Sequence, residues 1–107
     1  MATAAKLLQR GCDLDDGLGC TFLGDLYKTG RSNFRQDPAK AAALYRRAWA
    51  KGDAKGCISL GQAYEQGAGV LKDYSSALES YRLACLQHGQ GCSEYYRFNA
   101  QSQKVTN

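Results

Sequence analysis

Proline occurs once in the 107 residues, at Pro38, and no long apolar run occurs anywhere. The first absence leaves helices free to run uninterrupted, since an internal proline removes a hydrogen bond and clashes with the preceding turn. The second excludes a membrane-spanning helix, which needs about 20 apolar residues. The opening stretch Met1-Ala2-Thr3-Ala4-Ala5-Lys6-Leu7-Leu8 lacks the apolar segment and cleavage site of a signal peptide. Histidine is present only as His88, so no two-histidine metal motif can form, and near the end of a helix it suits the negative end of the helix dipole. No serine is followed three positions later by lysine, and the GxSxG and phosphate-cradling glycine patterns are missing. No catalytic residue, cofactor or metal is therefore expected. Net charge is +4, but the 14 basic residues are scattered and only Arg46-Arg47 are adjacent, so there is no basic stripe for nucleic acid.

Cysteine is abundant by contrast, with five in the chain, and it marks an internal repeat. The stretch from Gly11 to Gly24 returns from Ala48 to Gly61, and in degraded form from Ala84 to Cys92. Cys20 and Cys57 are 37 positions apart, Cys57 and Cys92 35. A period of this length is the mark of a solenoid, whose helical pairs bury their apolar faces only against neighbours.

Each unit reads as a helix A, a glycine-containing loop, a helix B and a tight turn. Helix A of the first unit covers about Gly17 to Thr29, with Cys20, Leu23, Gly24 and Tyr27 on one face and Gly30 as its stop. Asp37 caps helix B and Pro38 opens it. Ala41, Leu44, Tyr45, Ala48 and Trp49 continue the stripe to Gly52. In the second unit Cys57, Leu60, Gly61 and Tyr64 face the core, Gly67 stops the helix, and Asp73 caps the next. There Ala77, Tyr81, Ala84 and Cys85 match Ala41, Tyr45, Ala48 and Trp49. Ala4, Leu8, Gly11 and Cys12 hold the same helix B positions before the first unit. Cys92 to about Gln101 forms a last helix A, with Tyr95-Tyr96 in place of Leu-Gly. Small residues facing rings let helices approach closely, so the tyrosines are read as core with their hydroxyls near the surface.

The expected layout is one repeat domain over 1–107. Helix B of a truncated unit occupies about 3–16, repeat 1 17–52, repeat 2 54–89, a terminal helix A 90–101 and a polar tail 102–107. A register that opens on a helix B suggests an excised piece, or a first helix that leans on something else.

The motifs Leu23-Gly24-Asp25-Leu26-Tyr27, Leu60-Gly61-Gln62-Ala63-Tyr64 and Gly67-Ala68-Gly69-Val70-Leu71-Lys72-Asp73 resemble the SLR (Sel-one-like) repeats, relatives of the tetratricopeptide repeat. The paired cysteines are similar to its cysteine-rich branch, typified by the Helicobacter cysteine-rich proteins. The resemblance implies an all-α fold, a right-handed α/α superhelix of about two and a half helix-turn-helix repeats. It also implies disulfides joining helix B of one unit to helix A of the next, export to an oxidising compartment, and a surface for protein partners.

Those implied disulfides are Cys12–Cys20 and Cys85–Cys92, across turns that can bring Cα atoms within the roughly 4.4–6.8 Å required. A periplasmic or secreted location follows from them. Five free thiols would instead indicate the cytoplasm, and the mitochondrial intermembrane space is a further alternative. Cys57 faces Trp49 in the repeat register and is expected as a free, buried thiol against that indole, with a Cys57-linked dimer as the alternative to a monomer. Asp13, Asp15 and Asp16 resemble half a calcium loop but lack its downstream glutamate, and are read as turn and N-cap residues.

In such a superhelix the A helices line the concave side. The positions left after packing are Thr21, Asp25 and Lys28, then Ile58, Gln62 and Glu65, then Ser93, Arg97 and Ala100. A strip of this kind suits an extended peptide or a partner's helix. The expected function is a non-enzymatic interaction or scaffold module. The alternative, implied by members of the cysteine-rich branch, is a binder or weak hydrolase of β-lactams or cell-wall fragments.

Overall fold

The computed structural model describes the backbone of residues 2–14, 16–31 and 34–106, and the side chains of 6–14, 16–31 and 34–100. The expected turn role of Asp15 and the packing of the Ala4 side chain lie outside them. Six helices form among the described residues: α1 (Ala2–Asp13), α2 (Gly17–Thr29), α3 (Pro38–Ala50), α4 (Ala54–Gln66), α5 (Tyr74–His88) and α6 (Cys92–Thr106).

Their ends follow from local chemistry. Asp16, Asp37 and Asp73 accept hydrogen bonds from the first free amides of α2, α3 and α5, each cap worth about 1 kcal/mol. Gly30, Gly67 and Gly89 end α2, α4 and α5 in the left-handed conformation, which costs glycine nothing. Two expected boundaries shift. The first helix stops at Asp13 rather than near residue 16, where Leu14 and Asp16 donate back to the Arg10 and Gly11 carbonyls. The expected polar tail from residue 102 is instead the last turn of α6, which runs to Thr106; Ser102 to Thr106 contains no glycine or proline to stop it.

Each helix packs mainly on its neighbours in sequence, as a solenoid requires. α2 also meets α4, whereas no contact of that extent joins α3 to α5 among the described residues. The stack therefore curves with its A helices, α2 and α4, on the inner side. Its core is a row of three clusters: Cys12, Cys20, Leu23, Leu44 and Ala48; then Ala41, Ala42, Tyr45 and Leu60; then Ala77, Tyr81 and Phe98. Cα atoms are 4.5 Å apart in the Cys12–Cys20 disulfide and 4.6 Å in Cys85–Cys92. In a chain-entropy account, closing loops of 8 and 7 residues stabilises by about 2.5 kcal/mol each.

Candidate functional site: the inner face of the A helices

The sequence places nine residues on the inner strip, and the structure divides them. Thr21 leaves the surface: it is 3% exposed. Its hydroxyl bonds the Gly17 carbonyl and the Asp53 carboxylate. Asp53 opens α4 without capping it through its side chain, so it ties the second unit to the first. Ile58, the equivalent of Thr21, makes the same inter-unit joint by apolar contact. It packs on the third core cluster and fills the space that a side chain at Gly91 would need.

Ser93, the equivalent of Thr21 and Ile58 on α6, stays exposed, and the other six positions form two rows, one turn apart. Asp25, Gln62 and Arg97 stand at equivalent places on α2, α4 and α6, and Lys28, Glu65 and Ala100 follow them. Asp25, Gln62 and Glu65 are half-buried, while Lys28, Ser93, Arg97 and Ala100 are exposed.

The carboxylates are held from behind by the core tyrosines. Tyr45 donates its hydroxyl to Asp25 at 2.6 Å, and Tyr81 donates to Glu65 at 2.8 Å. Tyr45 and Tyr81 are equivalent, but Asp25 and Glu65 are not. The repeat equivalent of Asp25 is Gln62, so the acceptor in the second unit comes from one helical turn later. Arg97 reaches Glu65 at 3.9 Å, a partly exposed pair that adds little energy but orients both groups. Both phenols are pushed well above the usual tyrosine range, first by burial and then by the carboxylate each one meets.

The cysteines lie away from this face. Cys57 is the free thiol and is 1% exposed. The register sets it against Trp49, but its hydrogen bond runs to α5, where it donates to the Ser80 carbonyl at 3.1 Å. Burial pushes the thiol up to about 11, the setting of an inert core cysteine rather than a nucleophile or a link to another chain. The Trp49 ring turns its interaction to His88, with ring centroids 5.8 Å apart. Among the described residues, no group of three or more histidine, cysteine or acidic side chains is placed to hold a metal, and no helix is long and apolar enough to cross a membrane.

Two features escaped the sequence reading. One is the Thr21–Asp53 joint. The other is an apolar patch on α2, where Leu18 and Phe22 are exposed and Leu26 follows them at helical spacing. A comparison of repeats carries the signal, since their equivalents are Lys55, Ser59 and Ala63.

Comparison with known proteins agrees with this architecture. The Sel1 repeat model matches residues 17–53 and 54–89. Among solved structures, Helicobacter pylori cysteine rich protein B is similar over 83% of this chain and 67% of its own, with 34% identity and a TM-score of 0.78. A Sel1 repeat protein from Oxalobacter formigenes is similar over 98% of this chain, with 24% identity and a TM-score of 0.76. The chain spans half the length of that second structure. No curated protein matches the chain.

Proposed function

The chain belongs to the Sel1 repeat family, and on that premise we propose that it holds an extended peptide or a partner's helix on the inner face of its A helices, without catalysing a reaction. Sel1 repeat proteins are in general protein-interaction modules. The observation that carries the reading is the pair of rows described above, Asp25-Gln62-Arg97 and Lys28-Glu65-Ala100, polar at every position but Ala100 and repeated across successive A helices. A carboxylate has about four acceptor positions, and each tyrosine hydroxyl uses one on Asp25 or Glu65. On Asp25 the rest stay available to a peptide N–H, and on Glu65 those that Arg97 leaves, on side chains already held in place, which lowers the ordering cost of binding. Gln62 between them can donate and accept, and Arg97 can meet an acidic residue or a chain terminus.

The two disulfides support an oxidising compartment, periplasmic or extracellular, as the place where the module works. No feature among the described residues favours the β-lactam alternative.

Peptides selected from a displayed random library, and then titrated by calorimetry, test the site. Gln62→Ala and Arg97→Ala together are expected to weaken a selected peptide at least tenfold, about 1.4 kcal/mol. Unchanged affinity in the double variant places the binding elsewhere and contradicts the proposal.

A further inference from the structure

The outer side of α3 leaves unfilled a carboxylate position that α5 fills with its own side chain. α3 is packed by α2 on one flank and by α4 on the other. Ala41, Ala42, Leu44, Tyr45 and Ala48 are buried between them. Ala39, Lys40, Ala43, Arg46, Arg47 and Ala50 make up the exposed outer side. Ala43 is its centre, because residues three and four apart are neighbours on a helix surface. Lys40 lies one turn before it, and Arg46 and Arg47 one turn after. In the register that matches Tyr45 to Tyr81, Glu79 stands for Ala43, Ser76 for Lys40, Arg82 for Arg46 and Leu83 for Arg47. Glu79 holds Arg82 by two bonds, with Nε donating at 2.9 Å and Nη2 at 2.6 Å. On α5 the centre is thus a carboxylate beside one cation; on α3 it is a methyl group beside three.

Two of those cations are held in place without being neutralised. Arg46 donates to the Tyr64 hydroxyl at 3.1 Å, and the Lys40 ammonium lies 4.7 Å from the centre of the Tyr27 ring. Neither partner is a carboxylate, and among the described residues no carboxylate pairs with either side chain. Asp37, the acid nearest in sequence, turns its carboxylate to the Lys40 amide. Arg47 is different, since it meets Asp13 of α1 at 3.3 Å. A guanidinium has five N–H donors, so the Tyr64 hydroxyl leaves most of Arg46 free. A carboxylate is the acceptor whose geometry matches that fork. Arg82 makes the choice visible, because with Glu79 in reach it bonds the carboxylate and not a ring or a hydroxyl.

We propose that the outer side of α3 docks an acidic helix of a partner protein, with a carboxylate of that helix over Ala43 between Lys40 and Arg46. The carboxylate does there what Glu79 does for Arg82 in the next unit. The exposed alanines on either side let the partner's backbone approach closely, and charge complementarity selects the partner and its orientation. A nucleic acid fits less well, because the cations surround one place and do not follow a line. This surface is separate from the inner face and serves a second segment or a second partner.

Fluorescence anisotropy of a labelled, alanine-rich helical peptide with spaced glutamates tests this on the whole oxidised chain. The comparisons are the same peptide with glutamine for glutamate, and a single-stranded oligonucleotide. The unmodified protein is expected to bind the glutamate peptide in preference to both. Ala43→Glu places a carboxylate where α5 has one, and is expected to weaken the peptide about tenfold with unchanged helix content by circular dichroism. Arg46→Gln is expected to weaken it by a similar factor, and decides the matter should Ala43→Glu lose its fold. Gln87→Glu makes the same change of charge at an exposed position of α5 and is expected to leave the affinity unchanged. The Gln62→Ala and Arg97→Ala pair on the inner face is expected to leave it unchanged too. No binding, equal binding of the glutamine peptide, or tighter binding of the oligonucleotide overturns the proposal. So does full affinity in Ala43→Glu or Arg46→Gln, or an equal loss in Gln87→Glu or in the inner-face pair.

Discussion

The ring of Tyr81 lies so close to Gly61 that a Cβ at that glycine would sit 2.8 Å from its Cε1, and Tyr45 stands in the same relation to Gly24 at 2.7 Å. The contact repeats because it sets how near a B helix comes to its A helix. It also aims each tyrosine hydroxyl at the carboxylate on the inner face, so core packing and surface chemistry share one side chain.

Alanine at Gly61 opposes two effects of similar size. Helix propensity favours it by about 1 kcal/mol, while overpacking costs about 1–3 kcal/mol. The ring is buried and its hydroxyl is bonded to Glu65, so it cannot slide aside and the second effect wins. Gly61→Ala and Gly24→Ala are each expected to lower the urea midpoint of unfolding. A raised midpoint would mean that the ring moves freely.

Tyr45 and Tyr81 have folded-state pKa values raised by burial and by their carboxylate partners. Their contribution is fully present below the unfolded tyrosine value of about 10 and is lost as pH rises above it. Phenolate absorbance is expected to show two of the seven tyrosines ionising only as the helices unfold. The Tyr45→Phe and Tyr81→Phe double variant should lack that coupling. Ionisation of all seven before helicity falls would contradict the burial of these two rings.

One free thiol with a value near 11 makes a direct statement about labelling. The native, unreduced protein is expected to react with a thiol reagent slowly at neutral pH, and to yield one reactive thiol per chain after denaturation. Rapid labelling of the native state would place Cys57 at the surface. Five thiols would mean that neither bridge forms.

Each disulfide closes a short loop, and its removal is expected to cost about 2–4 kcal/mol. The consequences differ by place. Cys12 and Cys20 are fully buried in the first cluster, so the Cys12→Ala and Cys20→Ala pair should weaken α1 and α2 together. Cys85 and Cys92 are half-buried and tether α6. Hydrogen exchange after Cys85→Ala and Cys92→Ala should therefore rise mainly in α6. A uniform rise across all six helices would contradict the unit-by-unit stability of the stack.

Much of this architecture is legible in the residues because the signals are local. An aspartate before α3 and α5 and a glycine after α2 and α4 set boundaries that the repeat states twice. The end of α6 is not legible in that way, since it carries neither signal. Thr21 reads as surface because it is polar, yet its partner Asp53 lies 32 positions away, and only the stacking brings them together. Ile58 performs the same joint with opposite chemistry, so comparing repeats gives no warning. The tyrosine hydroxyls are expected near the surface, but their acceptors come from different turns of α2 and α4, which follows from where ionisable residues happen to fall. The apolar patch of Leu18, Phe22 and Leu26 is visible as a pattern. Whether such a stripe is core or surface depends on the helix laid over it, and no local rule supplies that.

The proposed role of the inner face of the A helices is to bind the protein's partners. Amide chemical-shift mapping with a selected peptide tests it most directly. The expected shifts fall on Asp25, Gln62, Glu65 and Arg97 and their neighbours on α2, α4 and α6. Shifts confined to α3 and α5 would put recognition on the outer side of the stack and contradict the claim.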